Sequence, residues 1–422
     1  MKNIKIIILS FLLPFILCGF VNSEGTAKTS KKSISKTTAQ NHYKSGMKKG
    51  ESGNYYEAID EFDEAIRLNP KYIDALAMRG LAKYYLGAYD DAIEDYSTLI
   101  KLKPDYTDAY LQRALVKYNL YKYRDAIEDC NIAINIRPLL PVAYYIRGIS
   151  KDYLKDLNGS LKDLDSAIRL KKNYLDAIYN RGLVKQKLSD YSGAITDYNE
   201  ALRLKPDNSD AYYNRAVTKR LLKKYPDALA DLDEAIKYNK EFTDAYFVRG
   251  LIKQEIQDNR GALDDVNFVI YKKPEYAEAY YTRGIIMHSL EYFSTSIENF
   301  DKAINLKPDF RDAYYNRGIV KMAHNEIESA IKDFDETIRM DSTHTGALME
   351  RGEARFEKKE YKAALNDFQK VIHIDQKHTN AHYKAGHTYY NLGELDGACM
   401  EWKIARDLGF EDGFKMIETN CK

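Results

Sequence analysis

An arginine returns at a fixed interval of 34 residues nine times: Arg79, Arg113, Arg147, Arg181, Arg215, Arg249, Arg283, Arg317 and Arg351. Its surroundings return with it, so that DAYYNRA at 210–216 becomes DAYYNRG at 312–318. A chain that keeps one period without insertion or deletion stacks copies of a small unit instead of wrapping one core. Counted from residue 39, eleven such units run to residue 412 of the 422-residue chain. We number these repeats 1 to 11 and the positions within each 1 to 34.

Position 8 is Gly or Ala in every repeat, from Gly46 to Gly386, and position 20 is Ala or Ser, from Ala58 to Ala398. Small side chains at these points let two helices approach closely. Position 24 is a large or apolar filler (Phe62, Tyr96, Leu164, Tyr198, Leu232, Val266, Phe300, Phe334, Phe368, Trp402), except at Cys130. Proline at position 32 (Pro70, Pro104, Pro138, Pro206, Pro274, Pro308) stops a helix from continuing. Aspartate at position 2, as at Asp74 and Asp108, suits the first turn of the next helix, where the dipole favours it. Each unit is therefore a helix–turn–helix that buries its apolar faces only against neighbours.

With tyrosine at position 17 (Tyr55, Tyr89, Tyr123, Tyr191, Tyr225, Tyr361), the pattern resembles the tetratricopeptide repeat family. That resemblance implies an all-α fold: an α-solenoid, a right-handed superhelix of about eleven 34-residue repeats whose first helices line a concave groove. It also implies that a protein or peptide partner binds there.

At 100° per residue, positions 2, 5, 6, 9, 12 and 13 of the first helix share one face. Positions 3, 4, 7, 8, 10, 11 and 14 share the opposite one, which holds the close-contact Gly/Ala and is directed at neighbouring helices. The arginine is position 7, near the centre of that inward face, and position 11 adds Lys83, Lys117, Lys151, Lys185, Lys219, Lys253 and Lys321. Buried cations need partners. Position 23 offers Asp95, Asp129, Asp163, Asp197, Asp231, Asp265, Asp333 and Asp367, with Asn299 in repeat 8 and Glu61 and Glu401 in the end repeats. Those end repeats lack the arginine and carry Ser45 and Ala385 instead. We expect an internal Arg–Asp ladder that fixes helix register, within a repeat or between repeats.

The opposite face is then the candidate ligand surface. Position 5 follows Leu111 with aromatics in six consecutive repeats: Tyr145, Tyr179, Tyr213, Phe247, Tyr281 and Tyr315. Asn180, Asn214 and Asn316 stand at position 6, and aliphatics such as Leu183 and Val217 at position 9. Rings bury apolar side chains, and an Asn amide can both donate to and accept from a peptide backbone, so the face suits an extended peptide. The alternatives are a carbohydrate-binding module stacking sugars on the tyrosines, and an accessory subunit of an envelope assembly or secretion machine.

Residues 1–23 place Lys2 and Lys5 before an apolar run ending near Cys18, a signal-peptide pattern too short to span a membrane. An uncleaved anchor, or lipidation at Cys18, is the remaining route to a membrane. Residues 24–38 read as a flexible Ser/Thr/Lys-rich tether, 39–412 as the repeats and 413–422 as a C-terminal cap. Export to the periplasm, the outer membrane or the medium is expected. The closing stretch GACMEWKIARDLGFEDG is similar to the ends of repeat proteins from Bacteroidetes-type bacteria.

Beyond residue 23 the chain has 62 basic and 63 acidic residues, which gives no global field for nucleic acid. Two antiparallel helices turning near Gly409–Phe410 would bring Cys399 level with Cys421, so a disulfide is expected there, with Cys130 a buried thiol. His378 and His382, four residues apart, lack a third metal ligand. No phosphate loop, HExxH or nucleophile elbow occurs. We expect a monomeric, non-enzymatic binding protein with no cofactor.

Overall fold

The computed structural model describes residues 31–421, in which there are 23 helices and no strand. The expected signal peptide and residues 24–30 of the tether lie outside the described residues. The chain divides into two compact bodies, 1–218 and 219–422, with the division inside the helix Ser209–Leu221.

Each repeat is a pair of helices, such as Leu175–Lys187 with Tyr191–Leu204 in repeat 5 and Thr243–Glu255 with Asn259–Lys272 in repeat 7. The turn between them forces position 15 into the left-handed region. Gly53, Gly87 and Gly393 adopt it freely, but Tyr121, Lys155, Ser189, Lys223, Gln257, Glu291, Asn325 and Lys359 sit there with φ of 56–65°. Such a side chain costs roughly 1 kcal/mol, which the packed hairpin absorbs. Position 16 caps the second helix, and Asp156, Asp190 and Asp258 accept the backbone N–H of the glycine three residues on.

Position 8 packs against the filler at position 24. A Cβ at Gly318 would lie 2.6 Å from the Phe334 ring, so the ring requires glycine there. In repeat 3 the filler shrinks to Cys130 and position 8 is Ala114, both fully buried in one core cluster. Cys130 is a free thiol, and burial pushes its pKa up.

The first helix, Lys31–Glu51, begins inside the expected tether, so residues 31–38 are helical. That segment has no Gly or Pro to break a helix propagating back from the packed part, where Ala39 is buried. At the other end Leu395–Asp407 and Glu411–Asn420 are joined by a Cys399–Cys421 disulfide, with Cα atoms 5.7 Å apart.

Candidate functional site

The arginines face carboxylates. In repeat 3, Arg113 donates from Nε to Asp129 Oδ2 at 2.9 Å and from Nη2 to Oδ1 at 2.7 Å, matching a planar fork to a carboxylate. The same double bond joins Arg79–Asp95, Arg147–Asp163, Arg181–Asp197, Arg249–Asp265, Arg317–Asp333 and Arg351–Asp367, each within one repeat. The third nitrogen, Nη1, reaches back to position 25 of the preceding repeat. Asp63, Ser97, Asn131, Asp165, Asn199, Asp233, Asn267, Asp301 and Asp335 accept it in turn. One side chain therefore holds its own hairpin together and ties it to the one before.

Position 11 completes the clamp. Lys83, Lys117, Lys151, Lys185, Lys219, Lys253 and Lys321 bring Nζ within 2.7–2.9 Å of Asp95, Asp129, Asp163, Asp197, Asp231, Asp265 and Asp333 respectively. Arg355 does the same for Asp367. Tyrosine at position 4 lies under the guanidinium in six repeats, 5.2–5.8 Å away, as Tyr110 lies under Arg113 and Tyr246 under Arg249. Repeat 8 differs: Arg283 donates to the amide oxygens of Asn299 and Asn267 where its counterparts have a carboxylate at position 23, and Met287 replaces the lysine. Burial depresses the Arg283 pKa, whereas in Arg317 the same burial is outweighed by Asp333 and Asp301 and the pKa rises.

The end repeats use another pair. His42 Nδ1 lies 2.7 Å from Glu61 Oε2, and His382 Nδ1 lies 2.6 Å from Glu401 Oε2. Histidine at position 4 and the longer glutamate at position 23 thus replace arginine and aspartate. His382 Nε2 also donates to the Gln376 carbonyl, and His378 caps its helix by accepting from Ala381 N–H. The two rings are committed to the fold. Among the described residues no three His, Cys, Asp or Glu side chains cluster as a metal site.

On the opposite face the position 5 rings are more enclosed than the sequence suggested. Tyr145 is fully buried, so it cannot contact a guest. Its ring packs 5.1 Å from Tyr174, Asn180 lies over its hydroxyl, and Val142 stands at position 2 where most repeats have an acid. Tyr179, Tyr213, Phe247, Tyr281 and Tyr315 are half-buried. Aromatic residues at position 34 cover several of them: Tyr276 on Phe247 at 5.0 Å, Phe310 on Tyr281 at 4.8 Å and His344 on Tyr315 at 4.8 Å.

The asparagines are also partly committed. Asn214 gives one Nδ2 hydrogen to the Asp210 carbonyl and the other to the Tyr179 hydroxyl, both at 2.8 Å. Asn316 does the same with Asp312 and Tyr281, and Asn180 with Asp176 and, at 3.4 Å, Tyr145. Because both hydrogens are used internally, these amides cannot donate to a guest. What they keep is the Oδ1 acceptor, and the phenol that receives the Nδ2 bond keeps its own proton to donate. Burial raises the Tyr179 and Tyr281 pKa values, so both phenols stay protonated.

Sequence reasoning missed three features. Position 25 is short and polar before every arginine, and position 34 is Tyr or Phe in six repeats and His in two more; both signals were present in the repeat pattern. The histidines at position 4 fall only where arginine is absent.

A family model described as TPR repeat matches residues 80–120, 187–219 and 352–393, and another described as tetratricopeptide repeat matches 39–72 and 277–310. The chain carries tetratricopeptide repeats. A scaffold of this kind is typical of protein–protein interaction, and tetratricopeptide repeat proteins generally bind protein or peptide partners without being enzymes. Among solved structures it is similar to a tetratricopeptide repeat protein from Parabacteroides merdae, at 18% identity over 59% of this chain and 99% of that one, with a TM-score of 0.45. Yeast Tom70 aligns at 16% identity over 91% and 96%, with a TM-score of 0.38. YrrB, a TPR protein with an unusual peptide-binding site, aligns at 20% identity over 44% and 95%, with a TM-score of 0.39. No curated protein matches the tetratricopeptide repeat chain.

Proposed function

We propose that this chain is a non-enzymatic scaffold that binds an extended peptide segment of a partner protein along the position 5 and 6 face of its first helices. The observation that carries this reading is the Tyr–Asn pair, which occurs as Tyr179–Asn214 in one body and Tyr281–Asn316 in the other. Each pair offers one outward donor, the phenol proton, and one acceptor, the amide oxygen. A peptide unit presents the complementary C=O and N–H. Half-buried rings and aliphatics around each pair take up the apolar side chains. Rings covered on one side by position 34 give sugars little flat surface, which favours peptide over carbohydrate.

The reading includes export to an oxidising compartment, supported by the charged and apolar pattern of residues 1–23 and by the fit of a disulfide to such a compartment. Fractionation and N-terminal sequencing of the expressed protein test that part. Among the described residues no helix is long and apolar enough to cross a membrane.

The binding test is random-peptide display against the full chain. Recovered peptides are then titrated against Tyr179→Phe/Asn214→Ala and Tyr281→Phe/Asn316→Ala. Loss of a donor–acceptor pair should weaken binding about tenfold, for two hydrogen bonds of roughly 0.5–1.5 kcal/mol each, with helicity unchanged. Equal affinity for wild type and both variants would reject the face.

A further inference from the structure

The position 5 rings fill one recurrent volume between positions 24 and 34 of their own repeat. Tyr43 lies 6.0 Å from Phe62 and 5.2 Å from Tyr72; Tyr281 lies 5.8 Å from Phe300 and 4.8 Å from Phe310. Tyr315 stands in the same way 6.2 Å from Phe334 and 4.8 Å from His344. Repeat 2 keeps the outer two rings, Tyr96 and Tyr106, but its position 5 is Ala77, the one alanine among the eleven.

The volume is left open. A cavity of about 260 Å³ lies there, its wall mostly apolar and including Ala77, Leu81, Tyr96, Leu99, Tyr106 and Leu111, with Asp108 and Gln112 as its polar members. Leu81, Tyr96, Leu99 and Leu111 are buried and form its floor, while Ala77 and Tyr106 are half-buried at its mouth. An apolar cavity of about 150 Å³ already accepts benzene, so this one has room for a substituted ring. Ala77 at its mouth holds position 5, the helix position that carries the tyrosine of each Tyr–Asn pair.

We propose that this cavity is a socket for one aromatic side chain of the partner, Phe or Tyr, which supplies in trans the ring that other repeats supply in cis. The inference rests on the peptide-binding reading above and sharpens it. It names the residue class at one point of the guest and places that point at repeat 2. Most of the enclosing surface is apolar and two of its side chains are aromatic, which suits a ring. Asp108 and Gln112 add a polar margin, which a tyrosine hydroxyl can meet while its ring fills the apolar part.

The test uses toluene and p-cresol, the side-chain analogues of Phe and Tyr, followed by saturation-transfer NMR with the full chain. Ala77→Tyr closes the socket with the chain's own ring, and Ala77→Leu does so with the residue that repeat 3 carries at Leu111. Both probes should bind wild type and bind the two variants at least about tenfold more weakly, with helicity retained. Peptides recovered by display should contain an aromatic residue whose change to Ala weakens binding to wild type but not to Ala77→Tyr. No probe binding to wild type, or binding unaffected by both variants, overturns the socket. Peptides held equally by wild type and Ala77→Tyr also overturn it while leaving the binding face intact. Ala77-dependent probe binding with no peptide recovered keeps an aromatic socket and removes the peptide reading beneath it.

Discussion

Repeat 5 sets a guanidinium and an ammonium on Asp197, whereas repeat 11 sets an imidazole on Glu401. Both arrangements give a buried carboxylate at position 23 of a second helix its hydrogen-bond partners. They differ in reach. Arg181 also holds Asp165 on the second helix of the repeat before, whereas His42 meets Glu61 of its own hairpin. His382 meets Glu401 of its own hairpin and, by its other nitrogen, the Gln376 carbonyl in the turn that ends repeat 10. At repeat 11 the earlier acceptor is changed too: Gln369 occupies position 25 and donates to Tyr389. Interior clamps therefore tie one second helix to the next, whereas the terminal ones hold a hairpin to itself and, at repeat 11, to the turn before it.

The largest expected effect breaks an interior clamp. Asp197→Ala leaves Arg181 and Lys185 without their buried partner and should cost about 3–5 kcal/mol locally, read by native-state hydrogen exchange on repeats 5 and 4. A loss below about 1 kcal/mol would mean the clamp behaves as an exposed pair. Next comes the covalent device peculiar to the C-terminal end. Cys421→Ser should lower the stability of repeat 11 and the closing helix by about 3 kcal/mol, on the chain-entropy model, while leaving interior repeats unchanged. Equal protection in the wild type and the variant would remove the disulfide from the account.

How much of this was readable depends on where the partner lies. The period, the hairpin and the choice of position 23 as the facing carboxylate follow from residues within one repeat. The Cys399–Cys421 pair could be placed because its two helices are consecutive and the two cysteines lie equally far from Phe410 on either side of the turn. What could not be read involves three bodies at once. Asn214 looked free in a helical wheel, yet its amide hydrogens are taken by its own helix and by a phenol 35 residues back. Tyr145 shares a helix position with Tyr179, and only the cover from Tyr174 and Val142 separates a core ring from a surface one. The empty place at Ala77 is likewise visible only once the flanking rings are located.

Repeat 8 sits between the two designs, since Arg283 has amides where its counterparts have carboxylates. Asn299→Asp should raise stability by about 1 kcal/mol, the margin of a charge-assisted over a neutral hydrogen bond, in urea unfolding. A loss instead would show that the missing position 11 lysine matters more than the arginine.

The smallest effect concerns acid. Hydrogen bonds from His42 and then Lys49 hold the Glu61 carboxyl at about 2, below its ordinary 4.5. A depressed carboxyl contributes stability that is full above the unfolded value and lost as pH falls through the folded one. Repeat 1 should therefore loosen between about pH 4.5 and 2. Glu61→Gln should be weaker at neutral pH and flat across that window, followed by amide exchange in the helix Tyr55–Leu68. A variant that still loosens over the window would assign the acid response to another group.

Arginines such as Arg79, Arg181 and Arg317 find their acceptors 16 residues on either side. Excising or duplicating any 34-residue block between two of them sets an equivalent guanidinium between equivalent oxygens, with no orphan at the seam. The molecule is thus built like a watch strap, in which links can be added or dropped without recutting the rest, and reach toward a partner can change while the fastening chemistry stays the same.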